Sequence, residues 1–159
     1  MKNTTAIYAG SFDPVTNGHL DIIRRAQQIF GSVIVLLMKN GAKNALFSFE
    51  ERVQLLRQAV AEIPQVTIET ADGLLADYAR KHGGILVRGL RGVSDIETEF
   101  AQAHYNRLFA PGLETVFLSC DEKWRYVSSS TVREIARCGG ELKLLVPACV
   151  QEALLRKFK

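Results

Sequence analysis

The chain predicts an α/β fold: a single domain built on a doubly wound, parallel, five-stranded sheet. Three observations carry this. Short runs of apolar or β-branched residues alternate with longer stretches of helical periodicity. The runs are continuous, as in strands covered on both faces, rather than alternating as in half-exposed strands. The 159 residues hold no repeat, linker or low-complexity tract, which suits one domain over 1–159 with one substantial core.

The first strand is expected at 6–9. Gly10 lets the backbone turn sharply off it, Pro14 stiffens the loop, and Gly18 permits close backbone approach. A helical period then opens at His19, with Leu20, Ile23, Ala26, Gln27 and Phe30 in register. The second strand is 33–38. Ser48-Phe49-Glu50-Glu51 reads as a capping box, and the helix it starts carries Val53, Leu56, Val60 and Ile63 on one face and ends near Pro64. A strand at 66–69 precedes a short helix over 74–82, stopped by Gly83-Gly84. After a strand at 85–87, Ser94 is placed to cap a long helix with Ile96, Phe100 and Ala103, ending near Pro111-Gly112. The fifth strand is 115–118. One helix follows the serines at 128–130. Another starts about Pro147, a favoured first-turn proline, with Val150, Ala153, Leu154 and Phe158 facing inward.

Composition narrows the functional classes. Hydrophobic content of 47% and charged content of 23% are ordinary for a soluble globular chain. No apolar run approaches the ~20 residues of a membrane span. The start of the chain leads straight into the first strand without a secretory pattern, so the expected location is the cytosol. Cys120, Cys138 and Cys149 form no Cys-x-x-Cys pair, and His19, His82 and His104 are scattered, so neither a disulfide framework nor a metal site is expected. A net charge of +3 gives no broad footprint for nucleic acid. It leaves room for small anions at one focused site.

In doubly wound sheets ligands bind outside the carboxyl ends of the strands. Ser11 and His19 follow the first strand. Lys39 and Lys43 follow the second, in a loop where a lysine is ordinarily just solvated. Arg88-Gly89-Leu90-Arg91 follows the fourth, as two arginines on a glycine-bearing loop able to fork onto phosphate. Trp124-Arg125-Tyr126-Val127-Ser128-Ser129-Ser130 follows the fifth, with Arg133 one turn into the next helix. The topology thus gathers cations and hydroxyls from the whole chain at one rim, as a polyphosphate site requires. Two helix starts add backbone N–H groups to it. The serines at 128–130 are also ordinary N-cap residues, and Thr131-x-x-Glu134 passes as a capping box.

Three segments carry a resemblance. Gly10-Ser11-Phe12-Asp13-Pro14 with Thr16-Asn17-Gly18-His19 resembles the HxGH signature of the nucleotidyltransferase superfamily, with Thr in the first His position. Val127-Ser128-Ser129-Ser130-Thr131-Val132-Arg133 resembles its second, ISSTxxR-type signature. The block Arg88 to Glu99 is similar to that of the phosphopantetheine adenylyltransferases, and the likeness runs through nearly all of the chain. Ser11 stands where Thr is common in that family and keeps the hydroxyl.

The resemblance implies a Rossmann-like nucleotidyltransferase fold and a reaction of ATP with 4′-phosphopantetheine to give dephospho-coenzyme A and pyrophosphate, the penultimate step of coenzyme A synthesis. It implies catalytic roles for His19, as transition-state stabiliser, and for Lys43 and Arg91. ATP-binding positions would be Ser11, Phe12, His19, Gly89, Leu90, Arg91, Glu99, Trp124, Arg125, Tyr126, Val127, Ser128, Ser129 and Ser130. Phosphopantetheine-binding positions would be Ser11, Lys43, Leu75 and Arg88. Mg²⁺ would be held through the substrate phosphates, with no protein metal cage, and the chain would form a homohexamer. Leu75 reads equally as core, Trp124 as a nucleotide shield or as packing, His104 as packing or subunit contact, and Tyr105, Leu108 and Phe109 as core or interface. An adenylyltransferase for nicotinate mononucleotide, a CTP-using enzyme and a non-catalytic nucleotide sensor are the competing readings.

Overall fold

The computed structural model describes residues 4–39 and 45–159. Five strands, β1 (Ala6–Gly10), β2 (Val33–Met38), β3 (Val66–Ala71), β4 (Ile85–Leu90) and β5 (Thr115–Ser119), form one sheet in the order β3-β2-β1-β4-β5. All pairs are parallel. Helices α1 (Asn17–Phe30), α2 (Phe49–Ala59), α3 (Leu75–His82), α4 (Val93–Phe109), α5 (Ser129–Arg137) and α6 (Ala148–Lys157) fill the connections and the C-terminal segment. This is the doubly wound α/β architecture that the alternation predicts.

Strand parity divides the interior. Ala6 and Tyr8 of β1 face a core shared with α1, α2, α5 and α6, in which Ile23, Leu56, Val132, Val150 and Leu154 are buried. Ile7 and Ala9 face a smaller core with Leu36, Leu86 and Ala76, Tyr78 and Ala79 of α3. The sequence expects strands covered on both faces, with Phe100 among the periodic residues of the fourth helix. Helix α4 departs from that, since it buries none of its residues fully. Phe100 meets Phe117 of β5, with ring centroids 5.0 Å apart, yet stays 54% exposed, and Tyr105, Leu108 and Phe109 are about half exposed or more. Those three are therefore not core.

The register explains where a ligand fits. β1 pairs with β2 along its whole length, from Ala6↔Val33 to Gly10↔Leu37. It pairs with β4 only at Ala6↔Ile85 and Ile7↔Leu86. Beyond that the two strands separate, at the point where the strand order reverses and doubly wound folds place their crevice. β4 instead continues along β5 through Arg88↔Phe117, Gly89↔Leu118 and Leu90↔Ser119. Arg88, Gly89 and Leu90 thus belong to a strand and not to the loop the sequence suggests.

Several helix ends also differ. Ser48 and Glu51 form the expected reciprocal cap of α2. Gly92, not Ser94, is the N-cap of α4 and makes no side-chain cap bond. Ser128 caps α5, accepting from the Thr131 N–H at 3.1 Å, so no Thr131–Glu134 box is needed. Pro147 sits at the N-cap of α6, one place before the first helical turn.

Candidate active site

The first strand enters a corner, residues 11–15, before α1. The turn is not made by Gly10. Phe12 takes the left-handed conformation, φ 44°, and folds its ring back over Gly10, where a Cβ would meet the ring at 3.0 Å. Gly10 is thus needed for space. Thr16 caps α1, its Oγ1 accepting from the His19 N–H at 3.3 Å while the Thr16 N–H donates to His19 Nδ1 at 3.0 Å. Histidine takes the N3 role that Glu or Gln has in the usual capping box. Asn17 anchors the C-terminal segment, its N–H donating to the Leu145 carbonyl and its Nδ2 to the Leu144 carbonyl.

That cap fixes the histidine chemistry. A nitrogen that accepts from a backbone N–H carries no proton, so the neutral ring is protonated at Nε2. Burial, then the Arg91 and Arg88 charges, lower the His19 pKa from 6.5 to about 4. The ring is neutral near pH 7. Phe12 packs edge-on against it with centroids 5.1 Å apart. Nε2–H is left to donate within the cleft, whose walls include His19.

The cleft, of about 420 Å³, opens where β1 and β4 part. Its walls bring together Ser11, Phe12, His19, Arg88, Gly89, Arg91, Glu99, Trp124, Val127, Ser128, Ser129 and Ser130, all anticipated from sequence. Leu90, Arg125 and Tyr126 lie outside that lining, and Tyr126 is 83% exposed. Leu75 packs against the smaller core beside Met38 and Ala71. Lys43 lies outside the described residues. Lys39 does not reach the cleft and pairs with Asp72 at 3.9 Å. Sequence reasoning did not assign Tyr8, Thr16, Ile22 and Cys120 to this wall; a strand-parity argument from Tyr8 would have found the first. Arg133, the last residue of the second motif, is also present.

Two pairings were not visible in the sequence. Glu99 forks onto Arg88, with Nε to Oε2 at 2.6 Å and Nη2 to Oε1 at 2.8 Å, and Arg88 Nη1 donates to the Ala9 carbonyl at 2.9 Å. Burial alone would lower the Arg88 pKa; the Glu99 carboxylate outweighs it and the net shift is upward. Three of the five guanidinium N–H groups are taken and two remain. The second pairing joins the buried Asp13 carboxylate to the Leu46 N–H at 2.8 Å, the Phe47 N–H at 3.0 Å and Arg133 Nη1 at 3.2 Å. Arg133 also donates to the Asp13 carbonyl, and Ser129 Oγ to the Pro14 carbonyl. The starts of α1 and α5 are thereby locked together at one rim, both offering N–H groups where an anion is stabilised.

The arrangement is cationic, rich in hydroxyls and backbone donors, and has one neutral imidazole donor. Among the described residues no cluster of His, Cys, Asp and Glu is arranged to hold a metal. No described helix is long and apolar enough to cross a membrane. Such an arrangement has the donors that a polyphosphate, and charge developing on it, would require.

Comparison with known proteins agrees with that chemistry. Residues 7–135 match the cytidylyltransferase-like family. The chain is 53% identical over 155 residues to phosphopantetheine adenylyltransferase of Dictyoglomus turgidum, covering 97% of each chain. It is 49% identical to that of Methylococcus capsulatus, covering 98% of this chain and 97% of the relative. Among solved structures it resembles nicotinic acid mononucleotide adenylyltransferase of Plasmodium falciparum complexed with NaAD, at a TM-score of 0.68 and 14% identity, covering 96% and 94%. At that identity the likeness speaks for the fold alone.

Proposed function

The chain belongs to the phosphopantetheine adenylyltransferase family, and from that premise we propose that the cleft between β1 and β4 is where its reaction is performed. The enzyme transfers the adenylyl group of ATP to 4′-phosphopantetheine, giving dephospho-coenzyme A and pyrophosphate. The attacking phosphate is already largely anionic near neutral pH, so positioning and charge stabilisation suffice without a general base. The observation that carries this reading is the His19 tautomer: a neutral ring, held by its own helix cap, with its proton on the nitrogen left to the cleft.

In this reading Nε2–H donates to the α-phosphate as charge builds there in an in-line displacement. Arg91 and the Ser128–Ser130 segment hold the ATP phosphates. Gly89, Leu90 and Glu99 border the nucleoside, with Trp124 closing over it. Val127 completes that wall, and Arg125 and Tyr126, exposed beyond the lining, border it from the solvent side. Ser11 and Lys43 hold the attacking phosphate, and Leu75 borders the pantetheine arm. Arg88, braced by Glu99 and the Ala9 carbonyl, turns its two remaining N–H groups to phosphopantetheine. Mg²⁺ would be held through the ATP phosphates and would neutralise their charge, a mode that suits a cleft in which the one acidic wall residue among the described residues, Glu99, is committed to Arg88. The cytoplasm is the setting we assign, and the exposed apolar side of α4 is the surface through which we expect copies to assemble into a homohexamer.

The test is pyrophosphate release from ATP and Mg²⁺ with each acceptor. Phosphopantetheine should react and nicotinate mononucleotide should not. Equal or faster turnover of the mononucleotide would reject the assigned acceptor.

A further inference from the structure

Arg52 of α2 is buried, only 8% exposed. Among the described residues no carboxylate lies within ion-pair distance of it. A permanently charged guanidinium in that position is costly unless its donors are used. Two of them are used on backbone: Nη1 donates to the Ser11 carbonyl at 2.9 Å and Nε to the Ser48 carbonyl at 3.4 Å, while the guanidinium lies over the Phe49 ring at 5.6 Å. Arg52 does not line the cleft. It reaches the corner from behind.

The corner is the part of the site that needs holding. Phe12 follows Ser11 directly and sits at φ 44°, a conformation that a non-glycine residue adopts only where its surroundings impose it. The Phe12 ring packs edge-on against the His19 imidazole. Arg133 of α5 fixes the next carbonyl, that of Asp13. The corner is therefore clamped at Ser11 by a guanidinium from α2 and at Asp13 by one from α5.

We infer that Arg52 is a positioning residue for the reaction: its bond to the Ser11 carbonyl sets the Ser11–Phe12 corner, and through it the Ser11 hydroxyl and the Phe12–His19 ring contact. The inference rests on the proposed adenylyl transfer. Its charge alone is not enough, because Lys in its place keeps the charge and loses the two-pronged grip on Ser11 and Ser48.

The experiment compares wild type, Arg52→Lys and Arg52→Ala in pyrophosphate release, ATP affinity, melting temperature and the NMR signals of the His19 ring. Wild type is the control for the reading beneath: if it does not turn over with phosphopantetheine, the assigned reaction fails, and the NMR comparison still tests the clamp. Both variants should lower kcat by ~10–100-fold, the penalty for misplacing reacting groups by about an ångström. ATP affinity should change less than about threefold, since the groups proposed to hold its phosphates are intact. The His19 ring protons should shift as Phe12 moves. Methylguanidinium should restore several-fold activity to Arg52→Ala and none to wild type. If Arg52→Ala does not fold, Arg52→Lys decides. Wild-type kcat per folded molecule with unshifted His19 signals would overturn the inference. So would a loss that tracks only the unfolded fraction.

Discussion

Replacing His19 separates two duties: the helix-cap bond that the structure gives Nδ1 and the donation proposed for Nε2. In His19→Ala the Thr16 N–H loses its acceptor at Nδ1. A lost N-cap bond costs about 1 kcal/mol, which in a chain of this size lowers Tm by roughly 2–4 °C. The same substitution removes the Nε2–H donor, and losing one donor to a developing oxyanion costs ~10²–10³ in kcat. His19→Gln tells the two apart. Glutamine at N3 is a natural capping-box partner, so its Oε1 can take the Thr16 N–H and restore Tm to within about 1 °C of wild type. Its amide donor hangs on a more flexible stem, so kcat should recover only in part, roughly tenfold above alanine. The assay pairs thermal melts with single-turnover rates on the same preparations. His19→Ala reacting within about threefold of wild type would refute the catalytic assignment. Failure of His19→Gln to recover Tm would refute the cap.

Titration of the free protein by imidazole NMR should place His19 near 4, and a midpoint at or above 6.5 would contradict its burial among cationic neighbours. The unfolded chain then binds a proton that the fold excludes, so stability is complete above about pH 6.5 and falls as pH drops toward 4; between pH 7.5 and 5 the loss is about 2 kcal/mol by linkage. Urea melts should show it in wild type and not in His19→Gln. Gly89→Ala puts a Cβ 3.0 Å from Ile22 Cγ1; overpacking should cost about 1–3 kcal/mol, and Ile22→Ala in the same chain should cost less than the two changes summed, as double-mutant denaturation will show. Asp13→Ala strands the Leu46 and Phe47 N–H groups and Arg133, and denaturant curves should record a loss of about 3–5 kcal/mol. Light scattering should give a mass several times the 17.7 kDa of one chain, and Phe100→Asp with Leu108→Asp should reduce it to the monomer value.

The strands were legible because their apolar runs answer to burial alone, and burial is what a parallel sheet demands of β1 and β2. The cleft walls were legible because carboxyl ends of parallel strands converge whatever their spacing in the chain. Arg88 with Glu99 was not, since both read as ligand contacts and nothing in the sequence tells a carboxylate that braces an arginine from one that faces a substrate. The corner was misread for a related reason. Gly10 is the residue with backbone freedom, yet the turn falls on Phe12, where two guanidinium clamps and a packed ring override intrinsic preference. Helix α4 escaped as well. Periodicity says that a face is apolar, not that this chain supplies the cover.

The parting of β1 and β4 after two paired positions has a mechanical meaning. A continuous sheet is a single plate; this one is two leaves, β3-β2-β1 and β4-β5, hinged along a short spine. Past the spine, the Arg88–Ala9 bond is a strut between the leaves, and helices brace them from outside. In the proposed reading, substrates held by Ser11 on one leaf and Gly89 on the other would form a second strut, supplying the cross-strand cohesion that the backbone forgoes. The fold gives up ladder bonds at the seam where the proposed reaction would place its substrates, so occupancy and rigidity of the seam should rise together.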